Sequence, residues 1–261
     1  MPSLDPTKTA ALRRRYAQSM NRRFRDLAKE VRESFTNGAL TANQAAGPGE
    51  FDKSTMTQKV EAFKLWLDTA ISATILETAG RVVRGLRRHW QETFIKAAYI
   101  RGINDTETAL KIIGELVTPV ASVEVALRSG LHAETLELMN ARVFQGLKGI
   151  TDDMAAKLSD IFSRSLIEGV GPKVIAKRIT DEISSISRRR AMAMARTETI
   201  RVYNESRLNT MERNQITGVT AEIEARLLTA GDSRVCSICK GLEGKVFTIK
   251  EAHGVIPLHV A

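Results

Sequence analysis

Two cysteines spaced C-x-x-C, Cys236 and Cys239, are the only thiols in a chain of 261 residues, and two of its four histidines, His253 and His259, follow them closely. A short turn between two cysteines at that spacing aims both sulfurs at one tetrahedral ion, as in a zinc knuckle. Cys236, Cys239 and His259 are therefore the expected metal ligands, with zinc as the metal. The fourth ligand is missing from the pattern, and His253 is the only spare candidate in the stretch. The same spacing also serves thiol redox chemistry, which normally lies beside a βαβ pattern, and none is evident. Two thiols packed beneath a hairpin without any metal is the third alternative. Elsewhere the sequence has no Ser-His-Asp set, P-loop, H-E-x-x-H or paired-carboxylate constellation. The adjacent Arg196, Thr197 and Glu198 could be catalytic, but buried hydrogen bonds that pin a helix account for them more simply. No enzyme is expected.

The elements around the cysteines can be read from periodicity. Residues 188–215 should form a long helix ending at Thr217-Gly218, with Gly218 in the usual C′ place. Val219, Ala221, Ile223, Ala225 and Leu227 alternate with Thr220, Glu222, Glu224 and Arg226, which is the period of a half-buried strand. Lys245–Ile249 is a second short strand, and Gly241 and Gly244 permit tight turns between the two.

Upstream the chain reads as helix. Over residues 8–35, Leu12, Tyr16, Met20, Phe24, Leu27, Val31 and Phe35 step by three and four onto one face. Arg13, Arg14, Arg22, Arg23, Arg25 and Lys29 occupy the opposite one. Residues 37–50, with Gly47-Pro48-Gly49, have a linker composition. A second apolar stripe runs from Phe63 to Ile75 and continues to about residue 79. Arg81, Arg84, Arg87, Arg88, Lys96 and Arg101 then face Glu92 alone. Trp90, Phe94 and Tyr99 lie among these cations at helical spacing, which favours core packing over base stacking.

Helix resumes over 104–145, broken near Pro119 and Gly130. Leu131, Leu136, Leu138, Met139 and Val143 are expected in a core and His132 on the surface. A helix start is expected at Thr151, with Thr151 as N-cap. A stop follows at Gly169-Val170-Gly171, with Pro172 opening the next helix, and a short break is expected at 184–187. The run 166–179 also has the look of a helix-hairpin-helix, whose turn and Lys173 would suit a DNA phosphate.

The composition bounds the partners. Thirty-nine Lys and Arg against 30 Asp and Glu give a net charge of +9. That balance favours a polyanion, nucleic acid before membrane. Arg13, Arg14, Arg22, Arg23, Arg84, Arg87, Arg88 and Lys173 are the expected contacts to double-stranded DNA, without sequence preference. Residues 1–36 lack the apolar core of a signal peptide, and no apolar run is long enough to span a bilayer.

The tail carries a more specific signal. ARTETIRVYNES, then TAGDSRVCSICKGLEGKVF, then IPLHV resembles the C-terminal domain of phage Mu F-like minor head proteins, the phage head morphogenesis family. Arg196, Thr197, Glu198, Asp232, Cys236, Cys239, Gly244, Phe247, Pro257 and His259 fall at the family's motif positions in order, over roughly residues 146–261. The sequence departs from the pattern at Ala261, where the family's Cys-Arg-Cys would begin.

The resemblance implies a structural minor capsid protein of a tailed bacteriophage. It would act in head morphogenesis at or near the portal, with portal, major capsid or scaffold proteins as partners. It would assemble in the bacterial cytoplasm, reside in the virion head, and take part in DNA ejection in some versions of the role. A toxin-like transferase or nuclease and a stand-alone DNA-binding protein are the alternatives. The expected fold is α+β: a mainly α-helical N-terminal part and a smaller C-terminal α+β domain with a short β-hairpin. Its expected segments are a basic helix or arm (1–36), a linker (37–56), a helical domain (57–145) and the Mu F-like domain (146–261).

Overall fold

The computed structural model describes residues 5, 7–37, 55–83, 86–114, 123–128, 130–216, 224–231, 233 and 235–256. Residues 38–54 of the expected linker, Gly218, Asp232, Pro257 and His259 lie outside them. The described chain is mainly α-helical with a small antiparallel sheet near its C-terminus. In order it runs α1 (Ala10–Thr36), α2 (Met56–Thr74), β1 (Thr78–Val83), β2 (Leu86–His89), α3 (Glu92–Ile112), α4 (Val123–Ala126) and α5 (Gly130–Ile167). It continues with α6 (Pro172–Ile216), β3 (Glu224–Arg226), α7 (Ser237–Gly241), β4 (Val246–Thr248) and α8 (Ile249–Ala252). Among the described residues no helix is long and apolar enough to cross a membrane.

Two compact units emerge, and neither is a continuous segment. One comprises 1–16, 91–143 and 193–261; the other comprises 17–90 and 144–192. α1, α5 and α6 each supply residues to both.

In the second unit the predicted face of α1 is its core. Met20, Phe24, Leu27, Val31 and Phe35 are all buried, as are Phe63, Leu67, Ala70 and Ile71 of α2. Phe63 stacks on Phe162 of α5 with ring centroids 4.3 Å apart, and Phe35 packs at 6.4 and 6.1 Å from the two rings. Three packed aromatics make a strongly stabilising cluster. The antiparallel hairpin β1–β2 was not foreseen. Its basic run carries no clean period-two signal, so a stripe that ends at Ile75 reads on into it. Trp90 follows the hairpin, buried, with its indole N–H donating to the Ile75 carbonyl at 2.9 Å.

Two expected breaks are absent. α5 passes straight through Thr151, whose hydroxyl donates back to the Lys148 carbonyl at 2.8 Å. α6 passes through 184–187, where Ser184 donates to the Thr180 carbonyl at 2.9 Å. Such back-bonding lets Ser and Thr stay inside a helix by satisfying their hydroxyls on the preceding turn. The break at Gly169 is real: that residue has φ +67°, a left-handed C-terminal stop, and Pro172 opens α6.

In the first unit α3 lies directly against α6. A Cβ on Gly102 would sit 2.5 Å from the Tyr203 carbonyl oxygen and 2.8 Å from Ser206 Cβ, so only glycine permits that approach. Ser206 donates to the Tyr99 carbonyl, and the Asn209 amide donates to both the Tyr99 hydroxyl and Thr135 Oγ1, each at 2.9 Å. The Tyr99 hydroxyl meets His132 Nδ1 at 3.0 Å. His132 is therefore an interior residue rather than the expected surface one, because α5 turns it inward onto Tyr99. Leu131 and Leu138, expected in the core, are exposed; Val143 is buried as expected.

Candidate functional site

The special residues of the tail sit on a small module at the end of α6. β3 pairs antiparallel with β4, Glu224 opposite Thr248 and Arg226 opposite Val246. Ala225 and Leu227 turn inward while Glu224 and Arg226 face out, the alternation expected from the sequence. Gly244, at φ +76°, closes the turn and donates to the Leu227 carbonyl. Thr248 caps α8 through a reciprocal box with Glu251. The threonine hydroxyl and amide donate to the Glu251 carboxylate and hold its pKa below the usual glutamate value.

The module is fastened in two ways. Leu208 of α6 forms a small apolar cluster with Ile249 and Ala252, flanked by Met211, Ala225 and Phe247. Beside it, Glu205 of α6 receives two hydrogen bonds from the segment after α8. The Gly254 amide donates to Oε1 at 2.7 Å, and His253 Nδ1 lies 2.8 Å from Oε2. An ionised carboxylate only accepts, so Nδ1 carries the hydrogen. His253 Nε2 lies 3.7 Å from Glu212, a charge neighbour rather than a hydrogen bond. Glu205 and His253 were not singled out as a pair from sequence, since 48 residues separate them and nothing in the ARTETIRVYNES run that contains Glu205 points to His253.

Cys236 is the N-cap of α7, and its sulfur accepts from the Cys239 amide at 3.4 Å. Both thiols are half-exposed and not joined in a disulfide. Burial, and then the neighbouring Cys236 sulfur, push the Cys239 thiol pKa up. The spare candidate His253 is held through Nδ1 by Glu205, which leaves its Nε2 without a hydrogen-bond partner among the described residues. Among the described residues no third Cys, His, Asp or Glu joins the two sulfurs in a metal-type cluster. The described donors thus amount to half of a tetrahedral zinc site and do not by themselves hold the ion.

The Arg196–Glu198 stretch lies inside α6 and is packed. Thr197 is buried, and Glu198 pairs with Arg201, both side chains being about nine-tenths covered. The tyrosine at position 16 feels that carboxylate: burial first, and then Glu198, drive its pKa far upward. This is a structural arrangement in which a charge pair is held against a phenol.

The expected DNA contacts divide by environment. Arg14, Arg22 and Lys173 are exposed, Lys173 in the first turn of α6. Arg13 is drawn into an ion pair with Asp5, and Arg23 lies over the Trp90 ring at 4.4 Å. Arg84 and the side chains of Arg87 and Arg88 lie outside the described residues. Trp90 and Tyr99 are buried, and Phe94 stacks on Tyr16 at 4.9 Å, so these aromatics serve the core.

Residues 156–258 match the family model described as phage Mu protein F like protein. That stretch, less than half of the chain, is similar to the phage Mu F-like family. The match begins in α5, takes in all of α6 and the β3–α7–β4–α8 module, and so contains every feature of the tail described above. Mu F-like domains belong to phage head morphogenesis proteins, a structural family. Comparisons with curated proteins and with solved structures returned no match.

Proposed function

We propose that the protein is a structural minor head protein of a tailed bacteriophage. It docks in the procapsid at or near the portal, with portal, major capsid or scaffold proteins as partners, and touches packaged double-stranded DNA without sequence preference. The observation that carries this reading is the Mu F-like match over a module whose polar groups are engaged in holding it to α6. Its chemistry is fastening: Glu205 is engaged by Gly254 and His253, and Glu198 is paired with Arg201. No catalytic role is assigned to any residue. The exposed cations Arg14, Arg22 and Lys173 supply the attraction to phosphate. Zinc enters this reading through Cys236, Cys239 and His259, and would rigidify the module if a fourth ligand joined them.

The test is co-expression of the full chain with portal and major capsid proteins, followed by purification of procapsids. Retention of the protein in procapsids, or on portal alone, is expected. Absence from procapsids together with no binding to either partner would sink the reading. Deletion of residues 1–36 is a poor probe, because Leu27, Val31 and Phe35 of α1 are core residues and their loss would unfold the chain. DNA binding with strong sequence preference in the absence of capsid proteins would replace this reading with that of a stand-alone DNA-binding protein.

A further inference from the structure

A cleft of about 380 Å³ opens between α1 and α6 within the second unit, a volume at the low end of ligand sites, which span roughly 300–1,000 Å³. Phe24 and Ile183 form its floor and are buried. Arg25 of α1 and Arg188 of α6 stand on its rim, both exposed. Among the described residues neither is paired with a carboxylate, and no acidic side chain lines the cleft. Their neighbours along α6 differ: Lys177 pairs with Asp181, Arg178 with Glu168 and Arg189 with Glu182. Neutralisation is thus withheld at the cleft and supplied beside it.

The rest of the polar lining is uncharged. Ser187 donates to Asn21 Oδ1 at 2.6 Å, which orients the amide so that its NH₂ group remains to donate. Two guanidiniums, with the Gln18 and Asn21 amides and the Ser184 and Ser187 hydroxyls beside them and no carboxylate, make a receptor for an oxyanion. Arg22 and Arg25 share one exposed face of α1, and the exposed Arg190 follows close behind Arg188 on α6. The cations therefore continue beyond the cleft, as suits a polyanion rather than a single small ion.

We infer that this cleft seats a backbone phosphodiester of duplex DNA between Arg25 and Arg188, with Asn21 donating to it. The inference rests on the DNA contact proposed above and gives that contact an address.

Binding of the full chain to short duplexes of unrelated sequence is measured against salt concentration. Each phosphate neutralised contributes about 0.9 to the slope of log K against log salt. Arg25→Ala/Arg188→Ala, which frees the one phosphate seated between them, should reduce the slope by about 0.9. Lys64→Ala/Lys157→Ala, with the same charge loss elsewhere, should leave it unchanged. Asn21→Asp keeps the acceptor for Ser187 and sets a carboxylate between the arginines; it should weaken binding by roughly tenfold, and it decides the matter if the double variant does not fold. If the wild type binds while the cleft variants keep its slope and affinity, the cleft assignment is overturned and the DNA contact stands. An equal loss in the lysine control overturns it as well. If the wild type binds no duplex at low salt, the DNA contact fails and the cleft assignment with it.

Discussion

Removing the Glu205 carboxylate should release the C-terminal module while leaving the helical body folded. Glu205→Ala deletes the acceptor for the Gly254 amide and for His253 Nδ1. Hydrogen bonds to a charged group contribute about 1.5–3 kcal/mol each. His253 is 29% exposed on its side chain, so water replaces part of its loss, and the sum is about 2–4 kcal/mol. The apolar fastening is of similar size: Ile249 is buried against Leu208, with Ala252 buried and Phe247 partly buried beside it, and burying a side chain such as Ile249 is worth about 1.5–3 kcal/mol. Losing the carboxylate therefore removes about half of what holds the module. Hydrogen exchange read by mass spectrometry should show residues 224–256 losing protection while α3 and the centre of α6 keep theirs, and far-ultraviolet circular dichroism should stay near wild type. Glu205→Gln retains an acceptor for Gly254 and should fall between the two. Unchanged protection of the module in Glu205→Ala would refute the reasoning, as would its collapse together with the whole chain.

Two further outcomes follow from the interior. Gly102→Ala forces a methyl to within 2.5 Å of the Tyr203 backbone oxygen; α3 must back away from α6, at a cost of about 1–3 kcal/mol or more, seen as a lower denaturation midpoint with an unchanged denaturant slope. Burial, and then the Arg23 charge, depress the His89 pKa from 6.5 to about 4. Between those values the unfolded chain binds the extra proton, so stability is full above about pH 6.5 and is lost as pH falls toward about 4. The loss attributable to this histidine is roughly 1–3 kcal/mol, and a His89→Gln variant should flatten that part of the stability profile. A profile of equal slope in wild type and variant would rule the histidine out as its cause.

Several elements were legible because a single period decided them. The stripe from Leu12 to Phe35 became the buried face of α1 without exception, and the alternation around Ala225 became β3. Where one residue type serves two local structures, sequence misled. Thr151 and Ser184 suggest caps and breaks, yet inside α5 and α6 their hydroxyls bond back to the preceding turn. His132 reads as a surface residue at a helix start, until Tyr99 from another helix gives it a partner. The cluster of arginines at 81–88 hides a hairpin, because strand pairing is a relation between segments and leaves little local trace in charged residues.

The tail shows the same division. Cys236, Cys239 and the ordered motifs around them mark the resemblance to the Mu F-like family from sequence alone, since residue identity and spacing are what a motif consists of. What the cysteines and the nearby histidine do was decided by the fold. The turn of α7 sets Cys236 to cap it, and the docking of α8 brings His253 onto a carboxylate 48 residues away. The cations follow suit: composition determined that the chain is basic, but only packing separated Arg13 and Arg23, which are spent on Asp5 and Trp90, from Arg25 and Arg188, which line one cleft. Charge is additive along a chain; whether a given charge is neutralised depends on which side chains folding places within a few ångströms of it.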